Sequence, residues 1–376
     1  MFYSFHFFPG FFLLVAGLGL QYHVVGKLLE LYPRFRLVRF ATAVSTVLLS
    51  LGYLLEFQRV AGLLPAAWAT WIECAALLET IGLGGLALSL SVLGQATKFQ
   101  SARRSFLRAA GAGACVVPAA FAAVGIMERT RFRVSEIKIP IPNLPKDLDG
   151  LRIVQVTDIH LSPFLSEKEF ARAIDMANET RANLALVTGD LITRRGDPLD
   201  ACLGQLARLR ADSGVLGCLG NHEVYAGAED YVTAQGRKIG IEFLRNETRV
   251  LRFGASAINF AGVDYQKMHH RYLVGAERLV MPGVLNVLLS HNPDVFPVAE
   301  AQGYDLTIAG HTHGGQINFE VLHQNVNAAL YFTPFVRGLY RRGRSSVYVS
   351  SGLGTIGMPL RIGAPAEVSL LRLCAI

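Results

Sequence analysis

The chain has 376 residues, enough for two ordinary domains, yet 51% are hydrophobic and only 17% charged, where soluble proteins carry about 25% charged residues. The deficit is local: residues 1–126 hold nine Lys/Arg and four Asp/Glu, whereas residues 127–376 hold 27 and 25. This excludes disorder, a collagen-like repeat and a coiled coil, and describes an apolar front followed by a normal globular unit. The net charge of +7 sits mainly in the front and forms no basic face, so nucleic acid is not expected as a partner. The five cysteines have neither disulfide nor metal-ligand spacing and are expected as small buried apolar side chains.

Spanning a bilayer core of ~30 Å takes about 20 mostly apolar helical residues. Met1–Gly26, Phe40–Leu55, Thr80–Thr97 (its helix starting near Trp68) and Ala109–Met127 approach that length. Residues 1–127 are therefore predicted to be a transmembrane helical domain of about four helices. Lys27, Arg34, Arg36 and Arg39 crowd the first connection and Lys98, Arg103, Arg104 and Arg108 the third, against Arg59 alone in the second and none in the N-terminal tail. The positive-inside rule then puts the first and third loops in the cytoplasm and the globular unit outside the membrane. Arg103-Arg104-Ser105-Phe106-Leu107-Arg108, with the Gly/Ala-rich run to Gly125, resembles a twin-arginine export signal, and Ala120-Phe121-Ala122 is a candidate cleavage site. A plain basic loop before a helix explains the same arginines. Glu73 and Glu79 fall roughly 240° apart around a helix, share no face, and read as interfacial rather than as an ion path.

Residues 128–150 read as a linker and lead-in. From Leu151 the pattern becomes short apolar strands alternating with amphipathic helices. Arg152–Thr157 runs into Asp158-Ile159-His160, Leu184–Thr188 into Gly189-Asp190, and Val215–Leu219 into Gly220-Asn221-His222-Glu223. Asn286–Leu289 runs into Ser290-His291, and Asp305–Ile308 into Gly310-His311-Thr312-His313-Gly314-Gly315. Helices are expected over Glu167–Thr180, with Phe170, Ile174 and Ala177 on one face, and over Leu199–Leu209. Val347–Ser350 and Glu367–Arg372 read as closing strands.

A strand packs without help from a polar residue at its end, and one such ending is turn chemistry. Five in succession at the ligand-collecting edge of an α/β sheet point to a site. Asp158, His160, Asp190, Asn221, His291, His311 and His313 offer four imidazoles, two carboxylates and an amide, a mixed N/O set without thiolate that suits catalytic Mn²⁺, Fe or Zn²⁺. Seven donors exceed one ion and suit two that share a carboxylate. Paired ions ~3.5–4 Å apart bind a bridging hydroxide and clamp both the attacking and the leaving oxygen of a phosphoryl group.

The ordered set Asp-x-His, Gly-Asp, Gly-Asn-His-Glu, His and Gly-His-x-His resembles the calcineurin-like metallophosphoesterase superfamily, from about Leu151 to the C-terminus. The resemblance implies an α/β fold, a four-layer α/β/β/α sandwich over residues 151–376, placed after the transmembrane bundle. It also implies that Asp158, His160 and His313 hold one of two divalent cations, that Asn221, His291 and His311 hold the other, and that Asp190 bridges them. His222 is implied as the unligated catalytic residue facing the phosphate, with Glu223, where the family often has Asp, orienting it. The tail Ser351-Gly352-Leu353-Gly354-Thr355 and Pro359–Pro365 looks like a bacterial subgroup of membrane-associated or exported members, and Arg361 is a candidate substrate contact. The expectation is a multi-pass inner-membrane protein with a periplasmic unit that hydrolyses phosphate esters, diesters foremost, by attack of a metal-bound hydroxide. A phospholipid or lipid-linked phosphate is a candidate substrate. Two alternatives stay open: a lipid-linked pyrophosphohydrolase similar to those that cleave UDP-diacylglucosamine, and a non-catalytic membrane receptor or scaffold.

His269, His270 and His323 are expected as surface or rim residues, and Arg195-Gly196-Asp197 as a turn. The Leu/Phe/Tyr-rich segment Phe319–Tyr340 either packs under a loop, rests on the membrane or admits an acyl chain.

Overall fold

The computed structural model of the chain describes residues 7–31, 36–55, 66–96, 120–267, 270–321 and 324–376. It divides into two compact units, Met1–Val124 and Gly125–Ile376.

In the first unit, long apolar runs form α1 (Phe7–Leu31), α2 (Arg36–Leu55) and α3 (Ala66–Ala96). A Cβ on Gly52 of α2 would lie 2.3 Å from the Ala76 Cβ of α3, so small residues set that close helix approach. Two polar pairs bridge the helices: the Tyr53 and Thr80 hydroxyls are 2.8 Å apart, and the Gln21 amide donates to the Thr42 carbonyl at 2.9 Å. Among the described residues one stretch, Trp71–Ser91 with mean hydropathy 1.6, is long and apolar enough to cross a membrane, and Thr42–Tyr53 is a shorter apolar stretch. Four such helices were expected, and among the described residues one reaches that length. Most of Ala109–Met127, together with the twin-arginine segment and Cys115, lies outside the described residues. Glu73 and Glu79 fall inside Trp71–Ser91, half-buried, rather than beside it.

The second unit opens with the last residues, 125–128, of a helical segment and contains two six-stranded sheets. The first comprises β1 (Arg133–Ile141), β2 (Arg152–Val156), β3 (Leu184–Thr188), β4 (Val215–Cys218), β5 (Ile241–Phe243) and β14 (Glu367–Ala375). Their spatial order is β1-β14-β2-β3-β4-β5, with β14 antiparallel to β2 and the other pairs parallel. The second contains β6 (Glu247–Phe253), β7 (Ser256–Gly262), β8 (Leu285–Leu289), β9 (Leu306–Ala309), β12 (Gly338–Arg342) and β13 (Ser345–Val349). Its order is β12-β13-β9-β8-β7-β6, parallel in the middle and antiparallel at both edges. A separate hairpin joins β10 (Phe319–Val321) to β11 (Gln324–Val326). Residues 133–141, read from sequence as lead-in, are thus an edge strand paired with the C-terminal strand. Its alternating exposed and buried residues carry charges on the open face, which masked its apolar periodicity.

Successive strand residues point to opposite faces. Ile153, Leu186 and Leu216 face Phe260, Val287 and Ile308 across the two sheets. On the outer face of the first sheet, Val154, Val156 and Val187 meet Phe170 and Ile174 of α4 (Glu167–Glu179) and Cys202 and Leu206 of α5 (Leu199–Leu206). Helical residues Val295, Phe296 and Ala299 cover the second sheet's outer face. The layers are helix, sheet, sheet, helix, and each fully buried Leu, Ile or Phe contributes roughly 1.5–3 kcal/mol. Helix α4 starts at a capping box in which Ser166 and Glu169 satisfy each other's backbone N–H groups,. Helix α5 ends three residues before the predicted limit. Cys74, Cys202 and Cys218 are buried and unpaired, while Cys374 is partly exposed.

Candidate metal centre

The parallel strands β2, β3 and β4 of one sheet and β8 and β9 of the other end at one rim of the sandwich. The residues just past these ends are the candidates named above. Backbone hydrogen bonds keep the outgoing loops in register: Asp158 N–H donates to the Gly189 carbonyl at 3.1 Å, His160 N–H to Asp190 at 3.0 Å, and Gly310 N–H to His291 at 3.2 Å.

The six ionisable candidates, with His222, fall into three overlapping groups: Asp158/His160/His313, His160/Asp190/His222 and Asp190/His291/His311. Within each group the ligand atoms lie within 4.8 Å of one another. Asp190 Oδ2 is 3.0 Å from His291 Nε2, 3.5 Å from His160 Nε2 and 4.0 Å from His222 Nε2. Asp158 Oδ1 is 3.6 Å from His313 Nε2 and 4.0 Å from His291 Nε2. Asn221 opens the short helix α6 (Asn221–Ala226) beside His222.

Each carboxylate is aimed by the backbone. His222 N–H donates to Asp190 Oδ1 at 3.0 Å, and His311 N–H to Asp158 Oδ1 at 2.9 Å. The imidazoles are aimed by their outer nitrogens. His291 Nδ1–H donates to the Thr188 carbonyl at 2.7 Å, and His160 Nδ1 lies 3.1 Å from Thr193 Oγ1. Four further donor atoms, His160 Nε2, His291 Nε2, His313 Nδ1 and Asn221 Oδ1, are buried and make no hydrogen bond. Leaving four such atoms unpaired would cost about 1–3 kcal/mol each. A set of two carboxylates, an amide oxygen and imidazole nitrogens fits cations.

The backbone is strained at the same places. Asp158, His160, Asp190, His311 and His313 have φ between 48° and 77°, a left-handed conformation that costs a non-glycine residue about 1–2 kcal/mol. Close approach of chains adds to this: a Cβ on Gly220 would lie 2.1 Å from Asp190 Oδ1, and one on Gly310 2.2 Å from Asp158 Oδ2.

Burial pushes the Asp158 carboxyl up. Burial alone would raise Asp190 too, but His291, His160 and His222 around it hold it well below the usual carboxylate range. Burial lowers His222 to about 4 and His311 to about 3, so both are neutral with a lone pair available. His291 is the exception: burial would lower it, yet the Asp190 carboxylate raises it to about 10.

Two side chains do otherwise than expected. Glu223 does not orient His222: it is fully buried, and its carboxylate accepts the N–H groups of Asp190 (2.9 Å), Leu191 (2.7 Å) and Gly220 (2.8 Å). His222 Nδ1–H instead donates to the Thr193 carbonyl. Arg361 does not face a substrate: it is 1% exposed and donates to the carbonyls of His313, Ser351, Gly352, Gly354 and Ala364.

Sequence reasoning missed Thr193, Asp197 and Tyr265. Asp197 accepts the N–H groups of Thr193 and Arg194, both at 2.9 Å, and so builds the loop that holds His222 and His160. An Asp four residues after a Thr beside Gly was the available signal. The Tyr265 ring lies 5.7 Å from that of His311 and 6.3 Å from that of His291, and nothing in its local sequence announced it. His269 and His323 lie outside the described residues.

Residues 151–315 match the family model for calcineurin-like phosphoesterases. An uncharacterised metallophosphoesterase of Campylobacter jejuni is 32% identical over 246 residues, covering 64% of this chain and 63% of its own. The Danio rerio transmembrane protein with metallophosphoesterase domain is 30% identical over 278 residues, covering 68% of this chain and 61% of its own. The Bacillus subtilis metallophosphoesterase YkuE is 28% identical over 282 residues, covering 72% of this chain and 97% of its own. The chain thus spans a little under two thirds of the length of the first two relatives.

Proposed function

Since its globular unit belongs to the calcineurin-like metallophosphoesterase superfamily, we propose that this chain is a membrane-anchored hydrolase of phosphate esters, diesters foremost, that works with two divalent cations. The observation that carries this reading is the convergence, from the ends of five strands in two sheets, of ligand-type side chains, four of which bring a buried donor atom with no hydrogen-bond partner.

In this reading Asp158, His160 and His313 hold one cation, Asn221, His291 and His311 the other, and Asp190 both. Bound there, the pair activates water and offsets the negative charge that develops on the phosphoryl group. The absence of thiolates suits Mn²⁺, Fe or Zn²⁺. His222 is left to act on the ester. The Thr193 carbonyl holds its Nδ1 proton and turns the Nε2 lone pair toward the cleft, where it would take up a proton from the attacking water and pass it to the leaving oxygen. Glu223 fixes the Asp190 loop, and Arg361 the His313 loop. Loop arginines and lysines favour a multi-pass inner-membrane protein with the globular unit on the periplasmic side. Support for the membrane comes from Trp71–Ser91 and from the name of the Danio rerio relative.

The test is elemental analysis and turnover of bis(4-nitrophenyl) phosphate by Mn²⁺-loaded protein. Two equivalents of metal with hydrolysis are expected, whereas metal-free, inactive protein would favour a binding scaffold. A reporter fused at residue 376 tests orientation, and a cytoplasmic signal would overturn the periplasmic placement.

A further inference from the structure

A cavity of ≈ 380 Å³ adjoins the candidate metal centre and shares His311 and His313 with it. Away from these histidines much of its wall is hydrocarbon, from Ile317, Ala328, Ala329, Phe332, Ile356 and Met358. Most polar side-chain atoms in the wall already have partners within the protein, the Asp294 carboxylate through one oxygen. The Gln316 amide donates to the carbonyls of Ile356 (3.0 Å) and Met358 (3.1 Å), and its oxygen accepts the Ile356 N–H at 2.9 Å. The Thr312 hydroxyl donates to the Val336 carbonyl and that of Thr333 to the Asp294 carboxylate. Asn292 donates to the Gln266 carbonyl and accepts the Asp294 N–H.

A sugar or base seated here would have to bury polar atoms against donors and acceptors already in use. A hydrocarbon incurs no such loss. The rim has the same character: residues 327–336 carry no charge, and Leu330, Tyr331 and Phe332 are 47%, 90% and 68% exposed. Apolar surface of this kind marks binding sites, and its contact with His311 and His313 ties whatever binds there to the reacting phosphate.

We propose that this cavity receives a linear aliphatic chain borne by the phosphate ester, so that amphiphilic esters are selected over nucleotides and sugar phosphates. The inference rests on the phosphate being held at the metal centre, as proposed above. It is tested by calorimetric binding of n-alkylphosphonates, methyl to octyl, to the full-length metal-loaded protein. Each added methylene is expected to tighten Kd about three- to fourfold until the cavity fills. Ala329→Phe, which fills the cavity, and Phe332→Ser, an exposed rim change that leaves the core intact, should each reduce the octyl-to-methyl affinity ratio at least tenfold. A Kd independent of chain length, no binding by any member, or an undiminished ratio in both variants overturns the inference. Failure of the phosphoesterase reading shows separately, as absence of bis(4-nitrophenyl) phosphate turnover.

Discussion

Gly220→Ala isolates the tight packing behind Asp190. The Gly220 backbone is extended (φ −100°, ψ −173°), so alanine brings no conformational strain, only a methyl group. That methyl would sit 2.1 Å from Asp190 Oδ1, more than about 1 Å inside ordinary contact. The carboxylate must retreat, which breaks its 3.0 Å bond from His222 N–H. Loss of a hydrogen bond to a charged group costs about 1.5–3 kcal/mol, and forcing a methyl into a packed interior about 1–3 kcal/mol. Together they predict a loss of about 2.5–6 kcal/mol, or a Tm lower by roughly 5–24 °C for a unit of this size. Metal sites tolerate about 0.2 Å of ligand displacement, so metal content should fall in step. Gly204→Ala is the control: nothing lies within 4 Å of its Cβ, it sits in α5, and it should stabilise by about 0.5–1 kcal/mol. The assays are calorimetric melting and elemental analysis. A Gly220→Ala protein with wild-type Tm and full metal would refute the reasoning.

Asp190→Asn should abolish turnover, since both cations would lose a donor. His222→Ala should keep its metal and lose about 10²–10⁴ in kcat; loss of metal instead would make His222 a ligand, consistent with its place in the His160/Asp190 group. Arg361→Met strands five carbonyls that Arg361 now satisfies, and should cost at least about 3 kcal/mol in urea unfolding, with Arg361→Lys intermediate. Metal-free protein should be most stable near pH 6.5. Below that, the unfolded chain takes up protons that buried His222 (about 4) and His311 (about 3) refuse, so stability falls as pH drops toward 4. Above it, the contribution of His291 is lost as pH rises through about 10,. Melting in EDTA from pH 4 to 9 checks this, and a Tm that climbs steadily to pH 9 would contradict it.

The strand-end residues were readable because strands buried on both faces are apolar throughout, leaving the polar residue after each one conspicuous. Edge strands β1 and β6 were not readable, since their half-exposed residues mix charge into the pattern. Glu223 does not reach His222 although the two are adjacent in sequence, because consecutive helical residues diverge by about 100°. As the third residue of α6 it reaches back to the Gly220 N–H, the position from which an acid caps a helix, and that spacing was legible. Arg361 could not be placed from sequence, because its partners are backbone carbonyls, four from its own loop and one from the His313 loop, and backbone partners leave no residue pattern. The apolar segment 319–340 showed its composition but not that part of it walls a cavity beside two histidines.

The last strand of the chain, β14, lies between the first two of its unit, parallel to β1 in the register Arg133↔Glu367 and antiparallel to β2. β1 and β2 therefore have no partner in common until residue 367 and beyond has been made. A ribosome delivers the apolar helices first and the staple of the following sheet last, so β1 waits through more than 200 residues of synthesis for its mate. The first sheet cannot close before Glu367 and the residues after it are made, and a nascent or truncated chain that stops short of Glu367 carries a bare strand edge open to association with other chains,.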